Sequence, residues 1–223
     1  MLPLIRGLLD VPGLERLRLS SIEPSTVDEA LIELMAGHPR FARHLHIPFQ
    51  SGSDTVLENM RRGYTSQAVR DLVERVASRI PGCGLGTDVI CGFPGEREED
   101  FRATFDLLEG LPFTYLHAFS YSVRPGSEAE RLGDPVSGDL KRRRVQALKR
   151  LMREKSRAFS RTHVSATLEV LPEPDRRGGT RRLAGWTDNY LRVDLGEGES
   201  AGSGLVRARI TGVTDSGLVG VVL

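Results

Sequence analysis

Twice within the first hundred residues an apolar run stops in a polar, glycine-rich turn and gives way to a helical pattern. The first run is His44-Leu45-His46-Ile47-Pro48-Phe49, closed by Gln50-Ser51-Gly52-Ser53-Asp54. The second is Gly86-Thr87-Asp88-Val89-Ile90-Cys91, closed by Gly92-Phe93-Pro94-Gly95-Glu96. Strand, loop and helix in that order, repeated, define a parallel α/β sheet. Ligands collect at the carboxyl ends of strands in such sheets. The two turns therefore point to one shared site.

The rest of the chain fits around them. Leu14–Ile22 alternates apolar and polar residues like a strand and breaks at Pro24. Thr26 is the expected N-cap of a helix through Ala36. Ser53 or Asp54 should cap a short helix to about Arg61. Thr65 should cap another through Ile80, with Leu72, Val73, Val76 and Ile80 on one face. Glu98–Leu108 reads as helix and Thr114–Tyr121 as a fourth strand. Four strands alternating with helices make a parallel sheet but not a closed barrel.

Leu140–His163 then reads as one long helix, with Val145, Leu148, Met152 and Phe159 near one stripe. Residues 141–161 hold ten basic residues and one acidic residue, so the positive charge of the chain is concentrated here. After it the period changes. Short runs at 167–171, 190–195, 205–210 and 217–223 are separated by Gly-, Pro- and Asp-rich turns, the pattern of a small closed all-β barrel. The expected organisation is an α/β part over residues 1–139, a basic linker helix over 140–163 and a β-barrel over 164–223.

No apolar run approaches the roughly 20 residues of a membrane span, and the first residues lack a signal-peptide pattern. A cytoplasmic location and no membrane partner are expected. The chain has two cysteines, Cys83 and Cys91. They make no disulfide framework and fall short of the three or four ligands of a zinc or iron–sulfur site, so both read as structural. His44 and His46 lie two apart on one strand face, with no third ligand evident. They read as a buried structural pair, and no metal site is expected.

With the turns placed, a resemblance becomes specific. Arg18-Leu19-Ser20-Ser21-Ile22-Glu23-Pro24 comes first. His44–Asp54 follows, with Val56-Leu57 and Met60-Arg61-Arg62. Then come Thr87–Glu96 with Glu99-Asp100-Phe101, and Phe119–Ser127. In order and spacing they resemble the C-terminal half of a radical S-adenosylmethionine (SAM) methylthiotransferase. The likeness spans nearly the whole chain. Ser20-Ser21-Ile22-Glu23-Pro24 and Leu111-Pro112-Phe113-Thr114-Tyr115-Leu116-His117 most resemble the branch acting on N6-threonylcarbamoyladenosine in tRNA.

The resemblance implies a partial (β/α) radical SAM barrel followed by a barrel similar to the RNA-binding TRAM domain. It implies SAM and [4Fe–4S] clusters as cofactors and tRNA as partner. It also implies an N-terminal half, with auxiliary-cluster cysteines and a Cys-x3-Cys-x2-Cys loop, that this sequence does not contain; Cys83 and Cys91 do not match those positions. The chain then reads as a fragment lacking its cluster ligands and inactive alone.

For SAM, the candidates at strand ends are Ser21, Glu23, Gln50, Ser51, Asp88, Gly92, Gly95 and Glu96. The same residues have a plain structural use: Ser51, Ser53 and Asp54 as helix caps, Gly92–Gly95 as a tight turn. The resemblance favours the ligand role for Gln50 and the Gly92–Gly95 loop. No catalytic residue is identified. For RNA, Arg181, Arg182, Trp186, Asn189 and Arg192 combine a stackable ring with donors. Tyr190 reads as a further ring or as core, and Arg176 and Arg177 accompany Arg181 and Arg182 in a Gly-rich loop. Two other readings stand beside this one. One is a non-catalytic RNA-binding remnant. The other is a methylthiotransferase for isopentenyladenosine in tRNA or for a ribosomal protein. An α/β enzyme for phosphorylated ligands finds no P-loop or Gly-x-Gly-x-x-Gly run.

Overall fold

The computed structural model of the chain describes residues 1–133, 135–175, 182–197 and 204–223. The first part is a three-stranded parallel sheet in the order β1 (His44–His46), β2 (Gly84–Cys91), β3 (Tyr115–Ser120). All three strands run the same way, so their carboxyl ends share one edge. The register sets His46 opposite Gly86, and Asp88 opposite His117.

The expected first strand is extended chain instead. Leu14–Ile22 touches the sheet through isolated parallel bridges, Leu17 to Phe41 and Ser21 to His46. The Leu17 N–H donates to the Arg40 carbonyl at 2.8 Å and the Ile22 N–H to the His46 carbonyl at 2.9 Å. With β1 only three residues long, there is little regular edge for a longer ladder.

Helices α1 (Leu2–Leu9), α2 (Glu29–Gly37), α3 (Asp54–Asn59), α4 (Ser66–Arg79) and α5 (Glu98–Gly110) accompany the strands. Ser53 and Thr65 cap α3 and α4 as expected, each side chain accepting a backbone N–H three residues on. Thr26 does not cap α2. Its hydroxyl donates to the Glu23 carbonyl at 2.7 Å within a 3-10 turn over Pro24–Thr26, and Asp28 accepts from the Leu31 N–H instead. Helix α1 has no counterpart in the sequence reading. It is eight residues long, has no side-chain cap, and buries only Ile5 and Leu9.

Helix α6 (Gly138–Arg161) is more than a connector. It lays Val145, Leu148 and Met152 into the same core as Leu45, Leu85 and Leu108, and Lys155 Nζ donates to the Glu109 carbonyl at 2.7 Å. The stripe expected for a linker covers the sheet.

The second part is a closed barrel in the order β4 (Thr167–Asp175), β5 (Arg182–Thr187), β6 (Arg192–Glu197), β8 (Gly217–Val222), β7 (Val206–Thr214). A parallel β6–β8 pair and register shifts between Leu183 and Ala184 and between Ile210 and Gly212 accompany closure. Val170, Val193, Ala208, Ile210 and Leu218 fill it. Strand β5 is additional to those expected. No helix among the described residues is long and apolar enough to cross a membrane.

The barrel meets the sheet through the β5–β6 turn. Arg18 donates to the Thr187 carbonyl at 2.6 Å and Arg16 to that of Trp186 at 3.0 Å. Arg43 pairs with Asp188 at 2.6 Å. Burial lowers the Arg16 and Arg18 guanidinium pKa values, and their carbonyl bonds offset that cost. The two arginines alternate along the Leu14–Ile22 segment, so its period-2 pattern aims at the barrel.

Candidate functional site

The carboxyl edge of the sheet is built by two loops. Gln50 sits at φ 69, yet its N–H reaches the Asp88 carbonyl and its own carbonyl accepts from the Ile90 N–H, both at 3.0 Å. The sheet thus continues one bridge beyond β1. Behind Gln50 the loop is anchored on α5. The Gly52 N–H donates to Thr104 Oγ1 at 2.8 Å, and Ser51 Oγ lies 3.3 Å from the same oxygen. Residue 52 has no room for a Cβ, which would meet the Thr104 Cα at 2.6 Å. Ser51 is therefore held inside the protein.

The second loop is closed by Glu96. Its Oε1 accepts the Gly92 N–H at 2.9 Å and is ion-paired with Arg144 of α6. Both side chains are 3% exposed. Burial pushes the Glu96 carboxyl up, against the Gly92 N–H and the Arg144 guanidinium. Gly92 and Gly95 adopt φ 78 and 79, where glycine alone is unstrained. A Cβ on Gly92 would meet Lys141 Cγ at 2.4 Å, whereas Gly95 faces open space. Of the expected cofactor residues, Ser51 and Glu96 thus have internal partners, and the space at Gly92 is filled by Lys141. Gln50 is 9% exposed, and Gly95 has no atom near its missing side chain. Glu23 is paired with Arg62 at 3.4 Å at the surface.

Ser21 and Asp88 lie elsewhere, in a cavity of about 400 Å³ on the sheet face toward the barrel. There Tyr115 Oη lies 2.8 Å from His44 Nε2 and 2.9 Å from His46 Nδ1. Burial depresses the His44 pKa to about 3, helped by Arg18 and His46, so His44 is neutral at physiological pH. Tyr190, at φ 65, reaches into this cavity from the barrel, with the Arg18 guanidinium 4.8 Å from its ring centre. Tyr115 and His117 enter the sequence analysis only within the Leu111–His117 run, not as site candidates. Their signal is i, i+2 spacing on β3, which puts both on one face.

A cavity of about 540 Å³ opens between α6, β3 and the barrel. Trp186 and Tyr190 stack at 4.6 Å beside it, and Arg153, Arg157 and Arg192 line it. Two of the expected RNA residues, Trp186 and Arg192, meet here. Asn189 does not join them. It is 1% exposed, and its Nδ2 donates to the Gly82 carbonyl at 3.0 Å and lies 2.9 Å from His163 Nε2. Its amide joins the domains instead. Arg182 opens β5, while Arg176, Arg177 and Arg181 lie outside the described residues.

Residues 4–108, which include β1, β2 and both strand-end loops, match the Radical SAM superfamily family model. The fold agrees: coproporphyrinogen III oxidase of Escherichia coli, a radical SAM enzyme, superposes with a TM-score of 0.52 at 12% identity. That match covers 93% of this chain and 51% of the other.

Sequence is more specific. The chain is 38% identical over 185 residues to the threonylcarbamoyladenosine tRNA methylthiotransferase MtaB of Bacillus subtilis, covering 82% of this chain and 41% of that protein. It is 40% identical over 206 residues to tRNA-2-methylthio-N(6)-dimethylallyladenosine synthase of Chlorobium luteolum, covering 92% and 46%. The chain belongs to the radical SAM methylthiotransferase family. It spans less than half the length of these curated relatives.

The family uses SAM and [4Fe–4S] clusters. Of the residues at this edge, the Gln50 amide and the unfilled space at Gly95 are those that would hold part of a SAM molecule. The residues present do not fit a cluster. The two cysteines flank and close β2, about 25 Å apart along an extended strand, and burial pushes both thiols up to about 12. Neither is a thiolate, the form a cluster binds. A thiol reagent at pH 8 is expected to leave both unmodified in the folded chain and to label both in denaturant. Fast labelling of either in the native state would contradict the burial.

Proposed function

We propose that this chain supplies the SAM-facing edge and the RNA-binding barrel of a tRNA methylthiotransferase that acts on N6-threonylcarbamoyladenosine next to the anticodon. The observation that carries the reading is one continuous body. The Gln50 and Gly92–Gly95 edge is tied through α6 to a barrel that presents stacked aromatic rings beside three arginines. Stacked rings and guanidinium groups are what unpaired bases and phosphates in an RNA loop require. The five-stranded barrel is read as TRAM-like on that basis. In this reading Gln50 and Gly95 orient SAM, and the Trp186 cavity holds the tRNA. SAM supplies a 5′-deoxyadenosyl radical when a cluster reduces it, and a cluster-bearing N-terminal half is a required partner.

The test is nucleoside analysis of tRNA from cells with the gene intact and deleted. Loss of the methylthio group from threonylcarbamoyladenosine alone supports the proposal. Loss from the isopentenyladenosine nucleoside moves the substrate to the other branch. If neither nucleoside changes while the chain still binds tRNA, the non-catalytic RNA-binding reading replaces it.

A further inference from the structure

The Asp88 side chain has no role in the edge just described. It faces the interior cavity, and the register places it directly opposite His117 on β3, with His46 on β1 across from Gly86. His46, Asp88 and His117 therefore project from three neighbouring strands on one face. His46 Nε2 lies 3.0 Å from Asp88 Oδ1, and the ligand atoms of all three residues lie within 4.8 Å of one another. We propose that His46, Asp88 and His117 form a mononuclear binding site for a divalent first-row cation of the zinc type, separate from any iron–sulfur cluster.

The donor set is two imidazoles and a carboxylate, a set such ions take. Bonds of about 2.0–2.2 Å to a shared ion put ligand atoms about 3–4 Å apart, so side-chain shifts of under about 1 Å bring these three into place. Two further observations aim the donors.

Asp88 Oδ1 is sealed from solvent and accepts no hydrogen bond; the His46 contact lies outside hydrogen-bond geometry. Carboxylate oxygen and imidazole nitrogen thus converge on one point without a proton aligned between them. The other nitrogen of His46, Nδ1, is held at 2.9 Å by Tyr115 Oη. An outer-shell hydrogen bond of that kind fixes the ring and turns Nε2 toward the ion. Gly86 makes room: a Cβ there would lie 1.9 Å from the Tyr115 ring. Remaining coordination positions open into the cavity beside Ser21 and Tyr190, where water or an oxygen ligand completes the shell.

The probe is Co2+, added to the whole chain at neutral pH after metal stripping and read by its visible ligand-field bands. One equivalent per chain, displaced by Zn2+, is expected. His117→Gln is the fold-safe variant, because His117 is exposed. It should weaken binding more than about 100-fold, since losing even an outer partner of a ligand costs about 10–100-fold. Asp88→Asn should do the same, Tyr115→Phe should weaken binding about 10–100-fold, and His38→Gln should leave it unchanged. Absence of saturable uptake at one equivalent, or uptake unaltered by His117→Gln in a folded protein, overturns the proposal. The readout is independent of tRNA and clusters, so it stands or falls apart from the proposed function.

Discussion

Replacing Arg144 by methionine is expected to cost the fold about 3–5 kcal/mol, the usual penalty for leaving one member of a buried ion pair without its partner. Glu96 would keep a carboxylate inside the protein with the Gly92 N–H as its remaining hydrogen bond among those described. The Arg144 side chain also reaches Glu98 Oε2 at 3.0 Å and lies 5.2 Å from the Phe101 ring centre, so the substitution loosens the start of α5 as well.

The loss carries a pH signature. Burial already raises the Glu96 pKa, and removing the guanidinium raises it further. A carboxyl whose folded pKa lies above its unfolded one loses stability as pH rises through that window. The variant should therefore be weakest at neutral pH and recover toward the ordinary carboxyl range near 4.5. Urea unfolding at both pH values is the measurement. The double variant Glu96→Gln with Arg144→Met should regain most of the loss, because no charge is then buried. A single-variant loss under about 1 kcal/mol would show that the pair contributes no more than a surface one.

Gly84→Ala is expected to part the two halves of the molecule. A Cβ on residue 84 would lie 2.0 Å from the Asn189 carbonyl oxygen and 2.8 Å from its carbon. Backbone on both sides leaves nothing flexible to yield. The β5–β6 turn must retreat, and with it go the Arg18 bond to Thr187, the Asn189 bond to Gly82 and the Arg43–Asp188 pair. Overpacking of about 1–3 kcal/mol and three polar contacts of about 0.5–1.5 kcal/mol each add to about 2.5–7.5 kcal/mol. Calorimetry should show one unfolding transition for the unaltered chain and two for Gly84→Ala, and proteolysis of the variant should cut near residues 162–166. Gly7→Ala, with open space around it, should change neither. One unshifted transition in Gly84→Ala would sink the expectation.

Local chemistry explains what was legible in the sequence. Ser53 and Thr65 cap their helices because the oxygen and the N–H it accepts are three residues apart, and the chain order carries that information. The parallel sheet and its two edge loops follow from period and punctuation. Thr26 failed as a cap because a 3-10 turn uses its hydroxyl, a competition between two local options. Strand β5 is not legible because Gly178-Gly179 and the arginines from Arg176 to Arg182 read as a Gly-rich loop. The remaining surprises are non-local. Arg144 looks like any residue in a basic run until α6 folds over Glu96, 48 positions earlier. Asn189 looks like an RNA donor because its partners are distant in sequence, Gly82 before β2 and His163 just after α6. The meeting of His46, Asp88 and His117 depends on strand register, which no single segment encodes.

Helix α6 also has a mechanical reading. At its first turns Lys141 fills the space at Gly92 and Arg144 clamps Glu96. Near its last turns Phe159 packs against the barrel core and Arg157 pairs with Asp215 in the β7–β8 turn. Twenty-four residues make a rod of about 36 Å. Because the rod is anchored at both ends, a displacement of the barrel would be passed along it to the Gly92–Glu96 loop. Its far end bears on the Gly92–Glu96 loop, so the molecule is braced like a beam between the sheet edge and the barrel.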